Sequence, residues 1–133
     1  VQALDHLGRG EEAITILRNE LSRSEVPEKF RFAYTISLCN RLINNNQGNI
    51  VKDDSLFLEI LELLNVWKNK SNLSHEEKGV MYSTIGLLHL VASEKTNAEK
   101  YYKLAKKEFL ITNSIHLKEI EMILQSIDEE SFE

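Results

Sequence analysis

The feature that most limits the possible folds is a series of small and aromatic residues at helical spacing between residues 82 and 105. Its first half has the positions i, i+3, i+4 and i+7 filled by Tyr82, Ile85, Gly86 and His89. Its second half has Ala98, Tyr102 and Ala105 at i+16, i+20 and i+23. Small residues let two helices approach closely, and aromatic rings fill the space beside them. The series therefore predicts a closely packed helical hairpin.

The rest of the chain also favours helices. It has one proline and five glycines among 133 residues, and no stretch shows the apolar–polar alternation of a strand. Apolar residues at helical spacing predict about seven helices, around 1–7, 11–23, 29–45, 55–70, 75–92, 97–111 and 115–127. We therefore expect an all-α fold of antiparallel hairpins, in which the mostly apolar helix at 55–70 is buried on more than one side.

Capping signals mark several of the predicted helix starts. Ser74 lies three residues before Glu77, and Thr96 lies three residues before Glu99, so each pair predicts a capping box. Gly48 is expected to end a helix in the left-handed conformation. Further N-terminal caps are expected at Asp53 or Asp54 and at Asn113 or Ser114.

The series over 82–105 resembles the tetratricopeptide repeat (TPR), a helix–turn–helix unit of about 34 residues. The matching positions are Tyr82, Ile85 (for leucine), Gly86, Ala98, Tyr102 and Ala105. His89 stands where an aromatic residue is usual, and Leu110 replaces the closing proline. The resemblance implies a solenoid of stacked hairpins.

The resemblance divides the chain, read as one TPR-like domain over 1–133, into four parts. It is closest over 79–112 and partial over 1–27, where "LGRGEEA" resembles the family's turn and Ala13 would correspond to Ala98. Since these two alanines are 85 residues apart, 28–78 is interpreted as a long irregular repeat, where the match is weakest. Residues 113–133 are expected to form a capping helix and an acidic tail. Because the chain begins at Val1, inside a predicted helix, we expect a piece of a longer protein.

Composition argues against several classes of function. A net charge of −5 gives no broad attraction for nucleic acid or an anionic membrane, and no apolar run is long enough to span a membrane. One cysteine, Cys39, forms no internal disulfide, and no Cys/His cluster has metal spacing. We therefore expect a cytoplasmic protein without a metal or other cofactor.

Candidate catalytic residues have simpler interpretations. His89 could act as a general base with Ser93 one turn away, but no acid lies at i±3 or i±4 to orient its ring. His89 also occupies a packing position of the repeat. The other histidines, His6, His75 and His116, are far apart in sequence. Cys39 lies in an apolar stretch, where a structural role is expected. We predict that the chain is not an enzyme.

A basic series on the predicted helix at 97–111 could contact phosphates. It comprises Lys100, Lys103, Lys106 and Lys107. Glu99 and Glu108 dilute its charge, and lysine is a common surface residue of helices. We expect no nucleic-acid partner.

The TPR resemblance implies that the first helix of each hairpin lines a concave, peptide-binding surface. In the best repeat the residues facing it would be Val80, Ser83, Leu87, Leu90 and Val91. If "AYTISLCN" aligns with that repeat, the neighbouring unit would contribute Arg31, Tyr34, Leu38 and Arg41. A mostly apolar groove flanked by the two arginines suits an acidic amphipathic helix. Some family members grip a terminal carboxylate with Lys and Asn, but Ser83 and Leu87 stand at those positions, so no such clamp is expected.

The predicted function is therefore a scaffold that binds another protein or peptide. Two alternatives stay open. The apolar face could pack against further repeats of the same protein, or the chain could be a regulatory or sensor arm of a larger signalling ATPase or nuclease. Assembly as a homo-oligomer is also open.

Overall fold

The structure, a computed structural model, describes residues 10–23, 25–46, 48–70 and 72–130. These residues contain no strand and form six helices. The helices are α1 (Gly10–Ser22), α2 (Glu28–Asn45), α3 (Ser55–Lys68), α4 (His75–Val91), α5 (Lys95–Thr112) and α6 (Leu117–Glu130). The all-α prediction is confirmed over this part of the chain. The predicted helix at 1–7 and the end of the acidic tail lie outside the described residues.

One of the two predicted capping boxes forms. The backbone N–H of Glu77 donates to Ser74 Oγ (3.1 Å), and the N–H of Ser74 donates to Glu77 Oε1 (2.9 Å). The box predicted at Thr96 is wrong, because α5 already begins at Lys95 and has Glu94 at its N-cap. A turn of only three residues separates α4 from α5, and it places Thr96 inside the first helical turn.

The other helix ends match the sequence in part. Gly48 has a φ of +86°, as expected for a left-handed residue. Asp54 is at the N-cap of α3 but makes no hydrogen bond through its side chain. Asn113 ends α5 in the left-handed conformation instead of capping α6. Ser114 Oγ accepts a hydrogen bond from the N–H of His116 (3.1 Å) just before α6 begins.

The helices pack mainly on their neighbours in sequence. α4 and α5 make by far the most extensive contact, and α2 also packs directly on α4. One core cluster contains residues of the four helices α1, α2, α3 and α4, and its members include Leu17, Phe32, Ile43, Leu64 and Ile85. A second cluster joins α5 to α6 through Ala98, Tyr102, Ala105, Phe109, Ile120 and Ile127. Among the described residues, none of the helices has both the length and the apolar content needed to cross a bilayer.

The prediction that α3 is buried on more than one side is confirmed in part, because α3 packs on both α2 and α4. Its fully buried residues are Phe57, Ile60, Leu64 and Trp67, which form a single helical stripe. On its outer face Leu58 and Val66 are 47% and 55% exposed. Leu56, Leu61 and Leu63 are partly buried against the first core cluster, so the exposed part of α3 is a stripe that includes Leu58, Glu62 and Val66.

Candidate functional site

An open groove with a volume of about 310 Å³ lies where four helices meet. Its lining comes from α2 (Asn40), α4 (Val80, Ser83, Thr84, Leu87), α5 (Tyr102, Phe109), the turn before α6 (His116) and α6 (Glu119, Ile120, Ile123). The volume is at the lower end of the range of about 300–1,000 Å³ that is typical of ligand sites.

The wall that α4 contributes is largely apolar despite its two hydroxyl groups. Ser83 Oγ and Thr84 Oγ1 both donate to the carbonyl oxygen of Val80, at 2.8 and 3.0 Å. Because these donors are used within the helix, they can only accept hydrogen bonds from a ligand. Val80 and Leu87 supply the apolar surface of this wall.

Two glycines of α4 let α5 contribute its aromatic rings to the groove. A Cβ atom on Gly86 would lie 3.1 Å from the ring of Tyr102, and one on Gly79 would lie 2.6 Å from Cδ1 of Phe109. The glycines are seven residues apart on α4 and the aromatic residues are seven apart on α5, so both contacts have the same antiparallel register. The close approach predicted at Gly86 is observed, and Gly79 is a second, closer one that the sequence analysis missed.

Tyr102 links the core to the groove. The residue is 2% exposed, and it lines the groove beside Glu119. Burial, and then the charge of Glu119, raises the pKa of the Tyr102 hydroxyl above its ordinary value. The phenol is therefore protonated at neutral pH and can donate or accept a hydrogen bond.

The structure brings together some of the predicted partner-binding residues. Ser83 and Leu87 line the groove, as does Val80. Leu90 is half-buried and packs on the second core cluster outside the groove. From α2 the groove receives Asn40, a residue that the sequence analysis did not single out.

The α2 residues predicted to face a partner lie elsewhere, and two of them serve the fold. Leu38 packs inside the first core cluster and is not part of the groove lining. Arg31 donates to the carbonyl oxygens of Leu21 (2.7 Å), Val26 (3.3 Å) and Arg23, which fixes the connection between α1 and α2. The guessed alignment of "AYTISLCN" had placed both on the binding face.

Tyr34 and Arg41 are partly buried and also lie outside the groove lining. Tyr34 packs against the first core cluster, and its ring stacks with that of Phe30 at a centroid distance of 6.5 Å. The exposed face that these rings form belongs to the first half of α2. It is separate from the groove, which α2 enters only at Asn40.

His89 is buried and has an acidic partner that its own helix does not supply. Its Nδ1 lies 3.0 Å from Glu94 Oε1, and its ring stacks on Tyr101 with centroids 5.5 Å apart. Glu94 also contacts Lys52 Nζ (3.3 Å). The turn after α4 places Glu94 five residues beyond His89, which the search at i±3 and i±4 could not detect. No hydrogen bond joins Ser93 to His89 in the described part of the chain.

Cys39 and the lysines of α5 have structural environments. Cys39 is fully buried, and burial raises the pKa of its thiol to about 12, so the thiolate is scarce at neutral pH. On α5, Lys103 pairs with Glu99 (2.8 Å) and Lys106 lies 3.7 Å from Glu121. Among the described residues, no group of three His, Cys, Asp or Glu side chains could hold a metal ion.

Comparison of the chain with protein-family models, with curated proteins and with solved structures found no match. The TPR resemblance and every function that it implies therefore stay predictions. The groove itself is defined by the geometry of α2, α4, α5 and α6.

Proposed function

We propose that this chain is a TPR-like helical repeat that binds a peptide or helix of a partner protein in the groove. The observation that carries the proposal is that α2 packs on α4 directly and that α2, α4 and α6 all line the groove. In the TPR family that the chain resembles, the first helix of each hairpin lines one common surface. The contributions of α2, α4 and α6 support such an arrangement, and α5 adds Tyr102 and Phe109 to the groove.

The chemistry of the groove also supports the binding of a polypeptide. Val80, Leu87 and Ile123 are partly exposed and offer an apolar surface in a lining that also contains polar groups. Apolar side chains of a helix can insert into such a groove, and its backbone needs no partners there because helical hydrogen bonds are internal. The groove walls belong to helices, so the site is held rigidly.

A selection from a displayed library of helix-forming 15-residue peptides tests this proposal. The bait is the full chain, and each selected peptide is then measured against a groove-filled variant, Ser83→Phe. Glu62→Phe, an exposed change on α3, is the matched control. Circular dichroism and thermal melting establish that both variants are folded. If Ser83→Phe does not fold, Asn40→Phe fills the groove from α2.

The proposal predicts at least one peptide whose affinity falls roughly tenfold or more with the groove-filled variant, since a hot-spot contact is worth about 2 kcal/mol. The same peptide should bind Glu62→Phe as tightly as the unmodified chain. Peptides that bind all three proteins equally, or the absence of any selected peptide, would contradict the proposal.

A second candidate function is packing within a larger protein, as a regulatory arm. The observation that favours it is a set of large apolar residues exposed at the end of α5 and in the following turn. Leu110, Ile111 and Ile115 are 56%, 57% and 91% exposed. If a longer parent protein covers them, amide hydrogen exchange over 109–116 should be slower in that protein than in this chain. Equal exchange in both would contradict this candidate.

A further inference from the structure

The charged groups of the groove define the kind of peptide that it can accept. Among the described residues that line it, none is lysine or arginine, while Glu119 is an exposed acid. Glu119 makes no ion pair within the described part of the chain. His116, at one end of the groove, has its Nε2 only 3.9 Å from the carboxylate of Glu76 and adds positive charge only when protonated. The groove therefore has an uncompensated negative charge.

A second, independent feature is the hydroxyl group of Tyr102. The residue is 2% exposed, and its hydroxyl makes no hydrogen bond within the described residues. Some buried side-chain atoms of the described residues are both inaccessible to solvent and without a hydrogen-bond partner, but the Tyr102 hydroxyl oxygen is not one of them. Its oxygen therefore keeps some access to solvent, and Tyr102 lines the groove together with Glu119. A buried polar side chain of this kind requires a partner from water or from a ligand.

Three cationic side chains that could attract an acidic peptide have other partners. On α5, Lys103 pairs with Glu99 and Lys106 with Glu121, which are both outside the groove. Arg31, which the sequence analysis had expected to attract an acidic partner, donates instead to three backbone carbonyl groups. The charge of the site is thus opposite in sign to the sequence-based expectation.

We infer that the segment bound in the groove is an apolar helix carrying a lysine or arginine, whose cationic N–H groups donate to the Glu119 carboxylate and the Tyr102 oxygen. This inference rests on the proposed function of the groove. Both acceptors belong to residues that line the same groove. The apolar residues of the segment would contact Val80, Leu87 and Ile123, with the cation at the α6 side.

The test uses the groove-dependent peptides from the selection above as probes. Each is synthesised as selected and with its basic residues replaced by glutamine, and dissociation constants are measured by fluorescence polarisation at pH 8. The proteins are the unmodified chain, Glu119→Gln and the control Glu62→Gln. The control removes the same charge from an exposed position on α3 outside the groove.

The inference predicts that selected peptides contain lysine or arginine and that Glu119→Gln weakens them about threefold to tenfold, the range of a partly exposed charge pair. The loss should shrink at high salt and should vanish for the glutamine peptide. Glu62→Gln should leave binding unchanged, and Tyr102→Phe should weaken it while the protein stays folded.

Two failures are distinguishable. Groove-dependent peptides that lack basic residues, or whose binding Glu119→Gln leaves unchanged, would overturn this inference and leave the proposed function standing. If no peptide depends on the groove, both the inference and the proposed function are overturned.

Discussion

The hairpin α4–α5 and the pair α2–α3 have similar lengths but are held together differently. In α4–α5, glycines at 79 and 86 meet the rings of Phe109 and Tyr102, and the helices lie close along their length. In α2–α3 the helices meet through large side chains, as in the T-shaped contact of Phe32 with Trp67 at 5.4 Å. They are in contact over a much smaller part of their lengths.

The difference shows which packing can be read from a sequence. A glycine opposite an aromatic ring fixes both the register and the distance of two helices, since any added Cβ collides. Contacts between two large side chains permit several registers and leave no fixed spacing. The two regions should therefore be destabilised by opposite kinds of substitution. α2–α3 should be most sensitive to the loss of atoms, and α4–α5 to their addition.

The largest effect is expected for Trp67→Ala. Trp67 is 6% exposed, contacts Phe32 and lies under the Lys70 ammonium group at 4.5 Å from its ring centroid. Removing the indole leaves a cavity between α2 and α3, which typically costs about 3–5 kcal/mol. Urea unfolding should report this loss, while Val66→Ala, 55% exposed on the same helix, should cost far less. Equal losses would mean that Trp67 does not hold this pair of helices together.

Gly79→Ala should have the next largest effect. The new Cβ would lie 2.6 Å from Cδ1 of Phe109, which is 1% exposed and has little room to move. We expect a net loss of about 1–3 kcal/mol, despite the higher helix propensity of alanine. Gly86→Ala, whose Cβ would lie 3.1 Å from the Tyr102 ring, should be milder.

The double variant Gly79→Ala/Phe109→Leu separates overpacking from other causes. The smaller leucine makes room for the new methyl group, so the two changes together should cost less than the sum of the single changes. Additive losses would show that the approach of α4 to α5 at Gly79 is not the source of the destabilisation.

A smaller effect is expected at the start of α4. Ser74→Ala removes the acceptor for the Glu77 backbone N–H and should cost about 1 kcal/mol. Thr96→Ala is the matched control, because the same sequence pattern occurs there without a capping box. In thermal melting experiments, the midpoint temperature of unfolding should be lowered by Ser74→Ala and not by Thr96→Ala. Similar shifts in both would contradict the helix start at Lys95.

The smallest effect is a dependence on pH at the turn between α4 and α5. Burial would raise the pKa of Glu94, but hydrogen bonds from His89 and Lys52 outweigh it and hold the pKa below 4.5. A lowered carboxyl pKa stabilises the fold above the unfolded-state value, and this contribution is lost as the pH falls through the folded-state value. The difference in urea midpoint between the unmodified chain and Glu94→Gln should therefore be constant near pH 7 and shrink below about pH 4.5. A difference that grows on acidification would contradict this sign.

The sequence predicted the helices and one wall of the groove. Helical periodicity located all six described helices, and the Gly86–Tyr102 spacing identified the hairpin that supplies Ser83 and Leu87. These features are encoded locally, within one or two helical turns. The hairpin register could then be inferred because a small residue and a ring must face each other.

The other wall could not be predicted because it depends on how distant segments meet. Leu38 and Arg31 were placed on a binding face by an alignment that has no glycine to fix it. The carbonyl groups that hold Arg31 belong to residues five to ten positions away. Glu119 and Asn40 carry no local signal, since exposed acids and amides are common on helices. Only the meeting of α2 and α6 beside α4 makes them part of one site.

The most direct test of the groove is a methyl NMR titration of the chain with a selected peptide. The groove predicts that the largest shift changes occur at Val80, Leu87 and Ile123, and that Ser83→Phe removes them. Changes confined to Leu104, Leu110 and Ile111, on the outer side of α5, would contradict the assignment of the groove as the binding site.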